Sequence, residues 1–191
     1  AAGANEPAIE VFSHYYAEAA AGVTGMIPET TIDPLTDPPQ LSDVVIDEQT
    51  ARDAIARTVI IKLNGGLGTS MGLDQAKTLL PVRDGLSFLD LIVRQITAAR
   101  ATYDATLPLL FMNSFRTRDD TLAHLEKYPD LPVAGLPVDF LQNAEPKITA
   151  YTFEPVEWPA DPTLEWCPPG HGDVYTALVG SGVLGALLAP G

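Results

Sequence analysis

The chain has 191 residues, with 25 Asp and Glu against 11 Lys and Arg, a net charge of −14 and an apolar share of 46%. That length and hydropathy suit one folded domain, while the acidity argues against the basic face that nucleic-acid binding needs. No uninterrupted apolar run is long enough to span a bilayer, and the single cysteine, Cys167, excludes an internal disulfide and fits a reducing cytosol, so a cytoplasmic location is expected.

Residues 5–22 place Ile9, Phe12, Tyr16 and Ala19 near helical spacing, which predicts an amphipathic first helix. Pro28, Pro34, Pro38 and Pro39 then make residues 25–40 an extended connection expected to wrap the core. The acidic residues Asp33, Asp37, Asp43, Asp47 and Glu48 in this quarter read as solvated surface. A short helix over 47–57 leads into the β-branched run 58–63, a buried strand ended by Asn64-Gly65. Ser87 and Asp90 form a capping-box pattern that opens a helix to about Arg100, with Leu91, Ile92, Val93 and Ile96 toward a sheet.

Residues 107–112 predict a second strand, Thr117 with Asp120 a capped helix ending near Tyr128, and residues 138–141 a third strand. This alternation gives an α/β fold with parallel strands and right-handed crossovers, and it brings Gln142 to the same sheet edge as Gly65 and Asn113. Residues 155–169 are proline-rich and read as a loop packed by Trp158 and Trp166. Asp173 suits a helix N-cap before Val174, Ala177, Leu178 and Leu184, although Gly180, Gly182 and Gly185 weaken that helix.

The segment from Lys62 to Gly72, followed by Lys77, puts a glycine turn directly after an apolar strand, where ligands of open α/β sheets sit. Gly65, Gly66 and Gly68 can take positive φ and let backbone N–H groups approach an anion, and Lys77 adds a full positive charge. It is not a P-loop, because Lys77-Thr78 stands well beyond Gly72. Nor is it a dinucleotide fingerprint, because Met71 stands where the third glycine belongs. The segment from Trp166 to Tyr175 couples a Pro-Pro-Gly-His-Gly turn to a helix start, where N–H groups near Gly170 and Gly172 can meet an anion and His171 can donate to it. A histidine beside a turn is ordinarily a surface or capping residue, and Cys167 beside Trp166 an inert packed thiol.

Four ordered motifs together resemble the UDP-sugar pyrophosphorylase family, in its UTP–glucose-1-phosphate uridylyltransferase branch: KLNGGLGTSMG with the trailing Lys77, PLLFMNSF from Pro108, FLQNAEPKI from Phe140 and PPGHGDVY from Pro168. Tyr15-Tyr16 and the Ile32-Asp33-Pro34-Leu35 segment also fit its amino-terminal region. The resemblance implies a Rossmann-like, GT-A-like nucleotidyltransferase core with a mostly parallel mixed sheet flanked by helices. It implies a division into residues 1–57, a helical and proline-rich wrapping segment, and 58–191, the first part of the catalytic domain.

The implied reaction is uridylyl transfer from UTP to glucose 1-phosphate, giving UDP-glucose and pyrophosphate, with magnesium and no covalent intermediate. Leu63, Asn64, Gly65 and Gly66 would hold the nucleotide, the two glycines also lying near the sugar phosphate. Lys77 would hold the triphosphate, Gln142 and Gly170 the uridine part, and His171 the sugar, with Asn113 and Ser114 lining the pocket. His171 favours glucose, since it would crowd an N-acetyl group. Ser70 stands where other relatives have arginine and Asp74 where many close relatives have lysine. The family's magnesium aspartate, a further lysine and a β-helical domain are expected beyond residue 191, so weak UTP binding and little or no turnover are expected of this polypeptide alone. A nucleotide-binding piece without turnover, and an enzyme for another hexose 1-phosphate, stand as alternatives.

Overall fold

Leu109–Asn113 is the strand around which the molecule is organised, because all five of its residues are buried. The computed structural model describes residues 4–67, 72 and 75–189. The expectations for Gly68, Ser70 and Asp74 lie outside the described residues. In chain order the elements are α1 (Glu6–Ala20), α2 (Glu48–Ala56), β1 (Ile60–Asn64), β2 (Pro81–Arg83), β3 (Leu86–Ser87), α3 (Phe88–Tyr103), β4 (Leu109–Asn113), α4 (Arg118–Leu125), β5 (Asp139–Leu141), β6 (Glu145–Pro146), β7 (Trp166–Cys167), α5 (Val174–Gly180) and α6 (Val183–Leu188).

The main sheet has the order β1-β4-β5 with both pairings parallel, Asn64 opposite Asn113 and Asn113 opposite Leu141. Alternation along β4 divides the core in two. Leu109 and Phe111 point to one side and pack with Leu89 and Val93 of α3 and Leu125 of α4, Ile92 and Ile96 lying against them. Leu110 and Met112 point to the other side and pack with Phe140, Ala177 and Val183, covered by α5 and α6. A parallel sheet with both faces covered explains the unbroken apolar run in its central strand. Leu91, expected to face the sheet, is only half-buried and belongs to neither cluster.

The capping box at the start of α3 forms as its sequence predicts. The Ser87 side chain accepts from Asp90 N–H, and the Asp90 carboxylate accepts from Ser87 N–H at 2.7 Å. Asp90, 5% exposed, also accepts from Tyr128 Oη (2.6 Å), His124 Nε2 (2.7 Å) and Ser87 Oγ (2.7 Å), which ties α3 to α4. Burial alone would raise its pKa, but the bonds from Tyr128, Ser87 and His124 outweigh burial and hold the carboxyl well below the ordinary range. A carboxylate whose folded pKa is depressed stabilises the fold at pH above its unfolded value, about 3.9, and loses that contribution as pH falls further. Asp90→Asn is therefore expected to lower the melting temperature at neutral pH, and the gap to the parent chain should narrow below about pH 4. A gap that stays constant from pH 7 to pH 3 would contradict this role.

Three local readings are corrected by the structure. Thr117 precedes α4 but makes no side-chain cap, because its hydroxyl donates instead to the Asn64 carbonyl at 2.8 Å, and α4 ends at Leu125. Asp173 caps no helix with its side chain. Its carboxylate accepts from Asn143 N–H and Asn143 Nδ2, each at 2.7 Å, and from the Thr176 hydroxyl. Trp158 is 54% exposed and packs nothing down, whereas Trp166 lies half-buried on β7, which pairs with β6. Gly182, at φ +77°, divides the last helical stretch into α5 and α6.

The amino-terminal quarter behaves unevenly. Helix α1 docks on α5 through its N-cap: Asn5 accepts from Ala8 N–H and donates to Asn143 Oδ1 at 2.9 Å. Gly180 leaves room for it, since a Cβ there would lie 1.9 Å from Asn5 Nδ2. Ala8, not Ile9 or Tyr16, is the buried residue of α1. Residues 21–50 are exposed throughout, including Met26, Ile27, Leu35, Leu41 and Val45, so the proline-rich connection lies on the surface without burying its apolar side chains against the core.

Candidate active site

Asn64 ends β1 and is 3% exposed. Its Nδ2 donates to Asn113 Oδ1 (2.8 Å) and Thr121 Oγ1 (2.9 Å), and its Oδ1 accepts from Thr78 Oγ1 (2.6 Å). Asn113 in turn donates to Asp139 Oδ2 at 3.2 Å, where Arg118 Nε also donates at 2.7 Å. Asn64 and Asn113, which end β1 and β4, are thus tied to each other and to Asp139 at the start of β5, and fully satisfied networks of this kind hold a geometry rigidly. The side chain of Asn64 is spent on this framework. Asn113 and Ser114, expected to line the pocket, are completely buried and belong to the same framework, Ser114 N–H donating to Thr117 Oγ1 at 3.0 Å.

The long interval between the glycine turn and Lys77 closes in space. Leu67 bridges Ala76 in antiparallel fashion, Lys77 N–H donates to the Gly66 carbonyl at 3.1 Å, and Thr78 reaches Asn64. Lys77 is exposed at the start of a 3₁₀ turn, Lys77–Leu79, and the residue is carried beside Gly66 by a backbone bond that does not depend on the side chain. Leu63, Asn64, Gly66, Lys77, Thr78 and His171 line one open cleft of about 660 Å³, together with Lys62.

Neither Gly65 nor Gly66 takes positive φ, contrary to the sequence expectation; among the described glycines near the turn, Gly72 does, at +72°. Gly65 is required for a different reason. A Cβ on it would lie 1.8 Å from Gln142 Oε1, so the carboxamide of Gln142 rests directly on the glycine backbone. Gln142 is held there from both ends, its N–H donating to the Asn113 carbonyl (2.8 Å) and its Nε2 to the Pro169 carbonyl (3.3 Å). The family resemblance implies UDP-glucose binding here, and Gly65→Ala is then expected to push this carboxamide off the Pro169 carbonyl and weaken that binding, with a smaller loss of melting temperature, because the clashing atom is the far end of a side chain. Calorimetry beside a thermal melt checks it, and undiminished affinity would remove Gln142 from the site.

Gly170 and His171 part company. His171 opens a 3₁₀ turn, His171–Asp173, exposed over the main cleft. Gly170 lines a separate hollow of about 550 Å³ with Ala8, Tyr15 and Glu145, and Gln142 faces a third of about 520 Å³ with Phe115 and Trp166. Burial and the neighbouring Asp173 raise the Glu145 pKa. Burial also raises that of Cys167, with Glu145 adding to it, the direction that disfavours the reactive thiolate. The Asn5–Asn143–Asp173 chain was not legible as a site feature, although it joins the residue after Gln142 to the turn bearing His171.

A parallel sheet covered on both faces, a glycine turn at its carboxyl edge and a lysine returned to that turn define an α/β protein with its ligand cleft at the sheet edge. The family model for UTP–glucose-1-phosphate uridylyltransferase matches residues 9–191. The chain belongs to that family. It is 41% identical over 170 residues to the UTP–glucose-1-phosphate uridylyltransferase of Solanum tuberosum, covering 87% of this chain and 33% of the relative. A probable enzyme of the same name from Schizosaccharomyces pombe is 43% identical over 142 residues, covering 74% and 28%. A variant of UDP-glucose pyrophosphorylase from Leishmania major, in complex with UDP-glucose, superposes with a TM-score of 0.88 at 42% identity, covering 98% of this chain and 39% of that one. The chain therefore spans about a third of the length of the curated relatives it matches.

Proposed function

We propose that this chain carries the nucleotide-binding part of a uridylyltransferase that joins UTP and glucose 1-phosphate into UDP-glucose and pyrophosphate. The observation that supports it most is the convergence of Leu63, Asn64, Gly66, Lys77 and His171 on one cleft in a chain of this family. In this reading backbone groups of the glycine turn and the Lys77 ammonium face a triphosphate and Gly65, Gly66 and His171 meet the sugar phosphate, while the uridine part falls to Gln142, which rests on Gly65, and to Gly170, which lines a hollow apart from the cleft and is assigned by the family resemblance alone. A sugar-phosphate oxygen is already nucleophilic at neutral pH, so attack on the α-phosphorus needs alignment and charge neutralisation, not an activated side chain. His171 selects glucose by donating to a hydroxyl or phosphate where an N-acetyl group would be crowded.

Magnesium belongs to the proposal as the family's accompanying cation, neutralising phosphate charge when bound. Among the described residues no three His, Cys, Asp or Glu side chains converge, and the described cleft lining holds no carboxylate. These residues do not fit a protein-built magnesium site, and no step here runs through one. No described helix is long and apolar enough to cross a membrane, and a cytoplasmic location forms part of the same reading.

Calorimetry with UTP, UDP-glucose and NAD, beside a pyrophosphate-release assay, tests the proposal. Heat with the two uridine nucleotides and none with NAD supports it. Binding without pyrophosphate release identifies a binding unit without turnover of its own, and preference for NAD overturns the uridylyltransferase reading.

A further inference from the structure

The main cleft holds a second lysine besides Lys77, one to which no role has been assigned. Lys62 stands on β1 and lines the same cleft as Lys77. It is half-buried, and the hydrogen bond its ammonium makes among the described residues is to the neutral carbonyl of Leu63, at 2.5 Å. That carbonyl belongs to the outer edge of β1: Ile60 N–H pairs inward with the Pro108 carbonyl, so residues 61 and 63 face outward, and β1 ends the sheet order. An ammonium has three donors, and among the described residues one of them is engaged.

The surroundings sharpen the point. The chain has 25 acidic residues to 11 basic ones, yet the described lining of this cleft has two lysines and no acid. Burial pushes the Lys62 pKa down. Such a cation is costly until an anion arrives, and a polyphosphate supplies one. The apolar neighbours Ile61, Phe88 and Ile92 lower the local dielectric and strengthen that attraction.

We propose that Lys62 is a second cationic ligand of the polyphosphate, gripping it from the β1 side of the cleft while Lys77 holds it from the far side of the glycine turn. The inference rests on the UTP reading and extends it to a residue on the strand itself. It assigns Lys62 to direct phosphate contact, in contrast to Asn64, whose side chain serves the framework.

Titration of UTP, inorganic tripolyphosphate and uridine into the parent chain and the variants Lys62→Met and Lys62→Arg tests it. Lys62→Met should weaken UTP and tripolyphosphate about tenfold, the worth of one charge-assisted hydrogen bond, and leave uridine unaffected. Lys62→Arg should keep most of the affinity, and the deficit of Lys62→Met should shrink as salt is raised. On the unaltered chain, UTP but not uridine should protect Lys62 from an amine-acetylating reagent, read by peptide mass spectrometry, which needs no variant to fold. UTP affinity of Lys62→Met within about twofold of the parent, where the expected loss is several times larger, or acetylation of Lys62 undiminished by UTP, overturns the inference. Failure of the parent chain to bind UTP is a separate outcome, visible before any variant is compared, and overturns the nucleotide reading with it.

Discussion

Lys77→Ala is expected to weaken UTP binding by about tenfold to a hundredfold, the range for hydrogen bonds to a charged group, and to leave the fold intact. The side chain is exposed and the residue is anchored through its backbone N–H on the Gly66 carbonyl, a bond that alanine keeps. Its neighbour Thr78 holds the turn through Asn64 independently of the ammonium. Stability and binding should therefore separate cleanly. Paired thermal melts and UTP titrations read both, and a folded variant with unchanged UTP affinity would remove Lys77 from the mechanism.

Asn64→Ala is expected to do the opposite and cost the domain about 3 kcal/mol or more, since buried partners left unsatisfied cost about 1–3 kcal/mol each. Three side-chain bonds disappear, and the donor of Thr78 and the acceptor of Asn113 lose a partner in a place water does not reach. Against the total stability of a typical domain, about 5–15 kcal/mol, that is a large loss. Urea unfolding measures it. A loss below about 1 kcal/mol would mean that the network relaxes around the gap and is not the framework of the sheet edge.

These two residues show how far the chain could be read before its structure. Period and capping placed α3, β4 and β5 close to their observed bounds, because Ser87 with Asp90 and the apolar run into Asn113 are local signals with local causes. The long-range polar bonds carry no such signal. Thr117 looks like a helix cap in sequence, but the carbonyl it satisfies belongs to Asn64 on another strand. Asp173 looks like another cap, but its partners include Asn143, across the chain. A polar residue closing an apolar strand, as at Asn64 and Asn113, was the one hint that the strand ends are tied by side chains.

The candidate site was legible in its motifs and less so in its geometry. Lys77 was separated from the glycines in sequence, and the Leu67–Ala76 bridge together with the Lys77 N–H bond to the Gly66 carbonyl explains how it returns. Gly65 was read as free to take a backbone conformation it does not adopt, and the cause of its smallness, the Gln142 carboxamide, lies two strand-helix-strand units away. Lys62 was visible as a charge at the start of the motif, but its half-burial and its place on a cleft wall shared with Phe88 and Ile92 of a distant helix are set by the tertiary fold.

A crystal structure of this chain soaked with UDP-glucose is the most direct measurement. The account predicts diphosphate density against the Gly65–Gly66 amides within reach of an ammonium group, with the hexose beside His171 and the uracil toward Gln142. Ligand density at another surface, or a glycine turn closed by its own side chains with none bound, would contradict it.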